Sequence, residues 1–413
     1  MPLETPPDPK PTSALAGIKV LDLTRIIAGP LATQILGDLG ADVVKVERPG
    51  EGDDVRRTGP PWASATQGSA DPLSTYFLAA NRNKRSITLD YTNAEGAQLL
   101  RRLALEADVL IENFRPGTLA GHGLGHESLQ ATNPRLIYCA VSGFGQTGPY
   151  AGRSGYDYLV QAMSGMMTVN GVEGGEPTRV GIPIADICAG HYAAMGVLAA
   201  LTQRSATGRG QFIDISLYDA QIAILLNAFS GWFNGGTALG RTGNDHPSAV
   251  PYGVYDVDDG QILIATFTNR EFERLAAALG HAEWSRDSRF AASGARVANR
   301  AALRDLMTEA LRGGTRTEWV ERLNAATVSC GPINQIADLA DDPQVKARGA
   351  IVDMDHETLG VVRTAASPLR LSDAPPVYRR PPPTLGEHTE EVLAEWLGLD
   401  APGVARLREE GTV

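Results

Sequence analysis

Six short apolar runs in the first half of the chain, separated by helix-like segments or turns, constrain the fold more than any other feature. They lie at 18–23, 43–47, 86–90, 108–112, 136–141 and 212–217. Helical patterns cover 30–40, 94–106 and 119–131, and a long small-residue helix precedes the last run. A strand, a helix and a second strand at this spacing imply a parallel sheet with right-handed crossovers. The first crossover carries its own punctuation. Pro30 suits the first helical position, where its missing N–H costs nothing, and Gly40 suits a left-handed stop. The expected fold class is α/β, wound in the doubly wound manner.

The second half reads differently. A helix is expected over 219–233, then a glycine-rich polar stretch over 235–251 as a linker or active-site loop. Asp258-Asp259-Gly260 between the runs 253–257 and 261–265 is a hairpin signal. Helical segments at 271–279, 300–311 and 318–323 complete a smaller α+β domain. An extended strap at 368–383 and a closing helix at 389–397 follow. At 413 residues the chain exceeds one ordinary core, so two or three domains are expected. The division read here is a loose tail over 1–16, a large domain over 17–225, a small domain with linkers over 226–335, and a return segment over 336–413.

Charge and cysteine content narrow the partners. A net charge of −11 argues against nucleic acid and against an anionic membrane surface, so any anionic substrate needs a local cationic site. Cys139, Cys188 and Cys330 form no C-x-x-C pair and leave an odd count, the pattern of reduced thiols and a cytoplasmic location. The tail is rich in proline and charge with no apolar centre, unlike a signal peptide. No run approaches the ~18 apolar residues of a membrane span. The seven histidines show no ligand spacing, so no metal is expected.

One carboxylate stands out. Asp186 sits where the extended run 180–185 meets the small-residue helix. An Asp there reads as an N-cap, and the helix dipole favours its ionised form by ~0.3–1 kcal/mol. An ionised carboxylate at that place also suits an oxygen nucleophile. Gly143-Phe144-Gly145-Gln146-Thr147-Gly148 matches G-x-G-x-x-G, but Pro149 and Tyr150 follow where a nucleotide fingerprint requires a helix. It reads instead as a ligand-lining loop or an ordinary turn. Arg48, Arg56 and Arg57, with the segment 81–85 that contains Arg82, Lys84 and Arg85, fall near the ends of strands. Singly they read as surface charges; together they suggest a phosphate site for a nucleotide with a thiol arm.

The chain resembles family III CoA-transferases of the CaiB/BaiF type. The matching pieces are 17–23, Ala28-Gly29-Pro30, 39–48, 83–86, the V-x-x-E-N-F pattern over 108–114 with Pro116-Gly117, 207–211, and 385–389. The resemblance implies a Rossmann-like large domain built from both termini, a small domain between them, and an interlocked homodimer. It aligns Asp186 with the catalytic aspartate. It implies that CoA, a substrate and not a resident cofactor, touches Ile27, Ala28, Arg48, the segment from Leu89 to Thr92, Asn113, Phe114, Arg115, and the loop Ser142, Gly143, Phe144, Gly145. The implied chemistry is a mixed anhydride followed by a β-aspartyl-CoA thioester on Asp186, which needs neither metal nor ATP.

Two other functions share these features. An α-methylacyl-CoA racemase needs an acid–base pair, and in those enzymes a Gly-His-Asp motif supplies the histidine; here the segment is Gly155-Tyr156-Asp157, and tyrosine is a poor base with a pKa near ~10. A non-catalytic acyl-CoA-binding protein is the second alternative. Formyl-CoA transferases carry glutamine where this chain has Ile27 and a glycine run where it has 242–252. The loop looks more like that of succinyl-CoA-dependent transferases acting on dicarboxylic acids. Arg25 is the candidate cation for a second carboxylate, and His246 either lines the acceptor pocket or lies in a loop.

Overall fold

The computed structural model describes residues 13–63 and 73–413. It divides into two compact units. The larger comprises 13–63, 73–164, 180–226 and 344–413 of the described residues; the smaller comprises Gly165–Arg179 and Asn227–Pro343.

The larger unit is built on six parallel strands: β1 (Lys19–Asp22), β2 (Asp42–Glu47), β3 (Lys84–Thr88), β4 (Val109–Glu112), β5 (Ile137–Ser142) and β6 (Phe212–Ser216). Their order is β3-β2-β1-β4-β5-β6, the Rossmann order, which reverses direction between β1 and β4. Both faces are buried, as parallel sheets require. Val20, Val43, Val109, Ile111 and Ile137 pack with helices α1 (Ala28–Asp38) and α4 (Ile184–Thr207). Leu21, Val44, Ile87 and Leu110 face the other layer with Leu99, Leu100 and Leu103 of α2 (Ala94–Glu106). Val392 and Trp396, from the helix Thr389–Leu397, and Leu407, from Ala401–Glu409, join that second layer. The Asp90 amide donates to the Thr412 carbonyl at 2.8 Å. The far end of the chain therefore completes the core begun by β1.

α4 carries the site, and its composition explains where it sits. Ala185, Ala189, Gly190, Ala193 and Ala194 form its buried stripe. A Cβ on Gly190 would lie 2.6 Å from the Ala28 carbonyl oxygen, so glycine alone permits the close approach of α4 to the start of α1. α4 is long and apolar enough to cross a membrane, with a mean hydropathy of 1.5, contrary to the expectation that no segment would be. Alanine and glycine raise the average while packing against α1 and the sheet.

The smaller unit holds an antiparallel sheet of Tyr252–Val257, Gly260–Ala265 and Ser329–Pro332 around Ile262, Ile264, Phe272, Leu303 and Leu323. It also takes in Gly165–Arg179, which the sequence reading assigned to the large domain, and extends to Pro343. The helix expected over 219–233 is two helices, α5 (Leu217–Ala223) and Leu226–Gly235, broken at Leu226 with φ +33°. A hairpin of Ile351–His356 and Gly360–Ala365 was not anticipated. Most of the 1–16 tail lies outside the described residues. Leu15, assigned to it, is a buried core residue whose amide bonds Leu39 O.

Candidate active site

A cleft of about 240 Å³, opening to about 970 Å³ with its mouth, lies beyond the carboxyl ends of β1, β4 and β5. This is the point where the strand order reverses, where open α/β sheets bind ligands. Its lining includes Arg25, Ile27, Ala28, Asn113, Phe114, Arg115, Ser142, Gly143 and Asp186. It also includes Asp54, Arg153 and Ser154, which the sequence does not single out, and Tyr156, which stands where the racemases carry their histidine.

The turn after β1 is held in an unusual conformation. Ile26, a β-branched residue, has φ +72°, a region such side chains rarely adopt. Its amide donates to Asp53 Oδ1 at 3.1 Å. Asn113 clamps the preceding residue from both sides, accepting the Arg25 amide at 2.9 Å and donating to the Arg25 carbonyl at 2.7 Å. Below the turn Lys45, fully buried, donates to Asp53 Oδ2 at 2.9 Å and to Thr24 O at 2.8 Å. Lys84, also fully buried, donates to Asp22 Oδ2 at 3.0 Å. Burial brings the Lys84 pKa down to about 8, with Asp22 opposing, and Asp22 is held at about 2 by Lys84, Lys45 and two hydroxyls despite its burial. The turn ends in α1, whose N-cap Ile27 offers no side-chain acceptor, so first-turn amides remain for a ligand.

Asp186 is not the N-cap that the sequence suggested. α4 begins at Ile184 with Pro183 as its cap, and Asp186 stands inside the first turn. The carboxylate that meets the first-turn amides belongs to Asp157, which opens helix α3 (Asp157–Met163): it accepts from Ala185 N at 2.7 Å and from Asp186 N at 3.3 Å. Relieved of capping, the Asp186 side chain is half-buried in the cleft. Burial first, and the nearby Asp157 charge second, push its pKa up to about 7. The sequence alone points to an ionised carboxylate there; burial and a like charge both favour the protonated form instead.

The opposite wall is made by two glycines. A Cβ on Gly143 would lie 2.5 Å from the Gly155 Cα, and the reverse holds equally, so the loop 153–156 presses onto the end of β5. Arg115 donates to Ser154 Oγ at 2.8 Å, and Arg153 lies over the Tyr150 ring at 4.0 Å. Neither has a carboxylate partner among the described residues.

Several expected ligand residues lie outside this lining or are already paired. Arg48 lines a small adjoining cavity and is paired with Asp54 at 2.8 Å and Glu51 at 3.2 Å. Arg25 lines both cavities but is paired with Asp54 at 3.2 Å. Leu89 is buried in the core, and Thr92 bonds Asp90 at 2.6 Å away from the cleft lining. Phe144 turns inward onto Tyr150 and Tyr218, while the Gly145 amide donates to Ser142 Oγ at 3.0 Å. His246 belongs to the smaller unit, stacked on Tyr252. Four cations of the basic cluster are paired internally: Arg56 with Glu47, Arg82 with Asp38, Lys84 with Asp22, and Arg85 with Asp42, Glu391 and Glu395. Arg57 bonds the Gly50 carbonyl. Asp157 was the main omission, and its place directly after Gly155-Tyr156 was the one sequence signal for it.

The model for CoA-transferase family III matches residues 15–389. The chain belongs to CoA-transferase family III. Family III relatives include the succinate–glutarate CoA-transferase of Agrobacterium fabrum, 44% identical over 94% of this chain and 96% of that protein. Human succinyl-CoA:glutarate CoA-transferase is 38% identical over 97% of this chain and 90% of its own length. A crystal structure of a CaiB/BaiF family protein from Brucella suis superposes with a TM-score of 0.83 at 44% identity, covering 93% of this chain and 99% of that one. As a family III member the chain is an enzyme, a CoA-transferase working between CoA thioesters and acids.

Proposed function

We propose that this enzyme moves CoA from succinyl-CoA or a similar thioester to a small dicarboxylic acid, with Asp186 as the nucleophile. The observation that carries this reading is a carboxylate freed from capping in a cleft at the strand-order reversal, beside the uncapped start of α1. The relatives that act on succinate and glutarate support the donor and acceptor class.

The steps follow from the groups present. The ionised Asp186 oxygen attacks the thioester carbonyl, the C–S bond breaks, and the CoA sulfur leaves with the electron pair. The product is a mixed anhydride. The thiolate then attacks the Asp186 carbonyl, giving a β-aspartyl-CoA thioester and releasing the donor acid. An acceptor carboxylate reverses both steps. First-turn amides of α1 stabilise the developing oxyanion. Arg115 and Arg153, which have no carboxylate partner among the described residues, take anionic parts of the two substrates, and Arg153 joins Arg25, itself paired with Asp54, as a candidate for the acceptor's second carboxylate. We propose also that two chains interlock as a homodimer: Leu226, Phe229, Trp232 and Phe233 are exposed on a helix with no buried residue.

The test is to incubate the protein with succinyl-CoA, add hydroxylamine and digest. A hydroxamate on Asp186, with glutaryl-CoA formed when glutarate is supplied, is expected. α-Deuterium uptake by a 2-methylacyl-CoA without any hydroxamate would favour the racemase and refute the transferase reading.

A further inference from the structure

None of the proposed steps uses Asp157. Yet this carboxyl group is buried, 7% exposed, and among the described residues its oxygens accept from three N–H donors. Oδ2 accepts the amides of Ala185 at 2.7 Å and Asp186 at 3.3 Å, while Oδ1 accepts Gln161 Nε2 at 2.6 Å. Gln161 is fully buried, and its orientation is fixed because its Oε1 accepts the Val180 amide at 2.9 Å. A relay from Val180 through Gln161 and Asp157 therefore ends on the backbone of the nucleophile.

We propose that Asp157 is a positioning residue for Asp186, holding the first turn of α4 in place and keeping beside the nucleophile a negative charge that acylation relieves. The inference rests on the nucleophilic role of Asp186 proposed above. A cap alone does not need a carboxylate, since serine or asparagine satisfies a first-turn amide equally well. What the carboxylate adds is repulsion. When Asp186 bonds the acyl carbon and the electron pair leaves on the CoA sulfur, the charge departs from the side of Asp157. An interaction that raises the resting anion and fades towards the acyl-enzyme speeds the step.

The other ionisable groups near the nucleophile among the described residues are Arg25, Asp54, Arg115, Arg153 and Tyr156 on the cleft walls, and Cys188 and His191 on α4, with the His191 ring nitrogen Nδ1 at 2.8 Å from the Ile187 carbonyl. Arg25 is paired with Asp54. Asp157 differs from all of these: it accepts the amide of Asp186 itself, and its charge, after burial, pushes the Asp186 carboxyl up.

The experiment records kcat and KM against pH for the full chain and for Asp157→Asn. In the parent the acid limb should fall near pH 7. In the variant it should move to lower pH by about half a unit or more as the like charge is removed. The plateau kcat should fall about tenfold or more as the turn loosens, with KM for the acyl-CoA within about threefold. In Asp157→Asn the new Nδ2 faces Gln161 Nε2, so the variant risks misfolding. Asp157→Ser, which keeps one acceptor without the charge, and Gln161→Met then serve instead. The serine limb should move like that of asparagine. In Gln161→Met the limb should stay while kcat falls. An unmoved limb in the folded asparagine or serine variant overturns the proposal, whatever happens to kcat. Hydroxylamine trapping on the parent separates the two levels: a hydroxamate on Asp186 with an unmoved limb rejects the role of Asp157 alone, whereas no hydroxamate rejects the nucleophile itself.

Discussion

Replacing Asp186 by asparagine should abolish turnover and at the same time stabilise the protein, increasingly so as pH rises. The carboxyl pKa stands at about 7 in the folded protein against an ordinary 3.8. A raised pKa means that folding favours the protonated form. The associated stability is fully present below the unfolded value and is lost as pH rises through about 7. The whole displacement corresponds to about 4 kcal/mol at ~1.4 kcal/mol per pH unit, an upper figure from which the α4 dipole subtracts up to ~1 kcal/mol. Of this, about 2–3 kcal/mol falls between pH 5 and pH 8.5. Asparagine has nothing to ionise, so the variant escapes that loss. Urea midpoints of parent and variant, taken at one protein concentration across this range, should draw apart with increasing pH in favour of the variant. A constant gap, or one that narrows towards high pH, would refute the account of how the nucleophile is held.

Two further substitutions probe the supports of the site. Gly190→Ala forces α4 away from the Ala28 carbonyl, one helical turn beyond Asp186, and should lower kcat by about 10–100-fold while leaving the second unit's unfolding unchanged; steady-state kinetics with denaturation curves check this. Lys45→Met strips Asp53 of its buried partner and should cost about 3–5 kcal/mol, measured by urea unfolding, while freeing the strained Ile26 turn.

The parallel sheet was legible because its evidence is local. Each strand is a short apolar run, and Pro30 and Gly40 bracket the first crossover within one stretch of sequence. The cleft was partly legible for the same reason, since Arg25 to Ala28 and Asn113 to Arg115 directly follow strands. Charge pairing was not. Lys84 meets Asp22 from 62 positions away and Arg85 meets Glu395 from 310 away, so a row of cations that looks like a phosphate site is a set of internal ties. The capping of α4 was hidden likewise. An aspartate at a helix start fits the cap rule, and nothing nearby in sequence reveals that Asp157, on another helix, has already taken those amides.

The contribution of Val392, Trp396 and Leu407 to the layer that covers Leu21 also bears on synthesis. By the time a ribosome has finished β6 the sheet's six strands exist, but one side of them still lacks part of its covering. The remaining partners arrive only after the whole second unit has been translated. The nascent chain thus spends that interval with an apolar surface uncovered, which predisposes it to aggregation and favours chaperone engagement until the closing helices emerge.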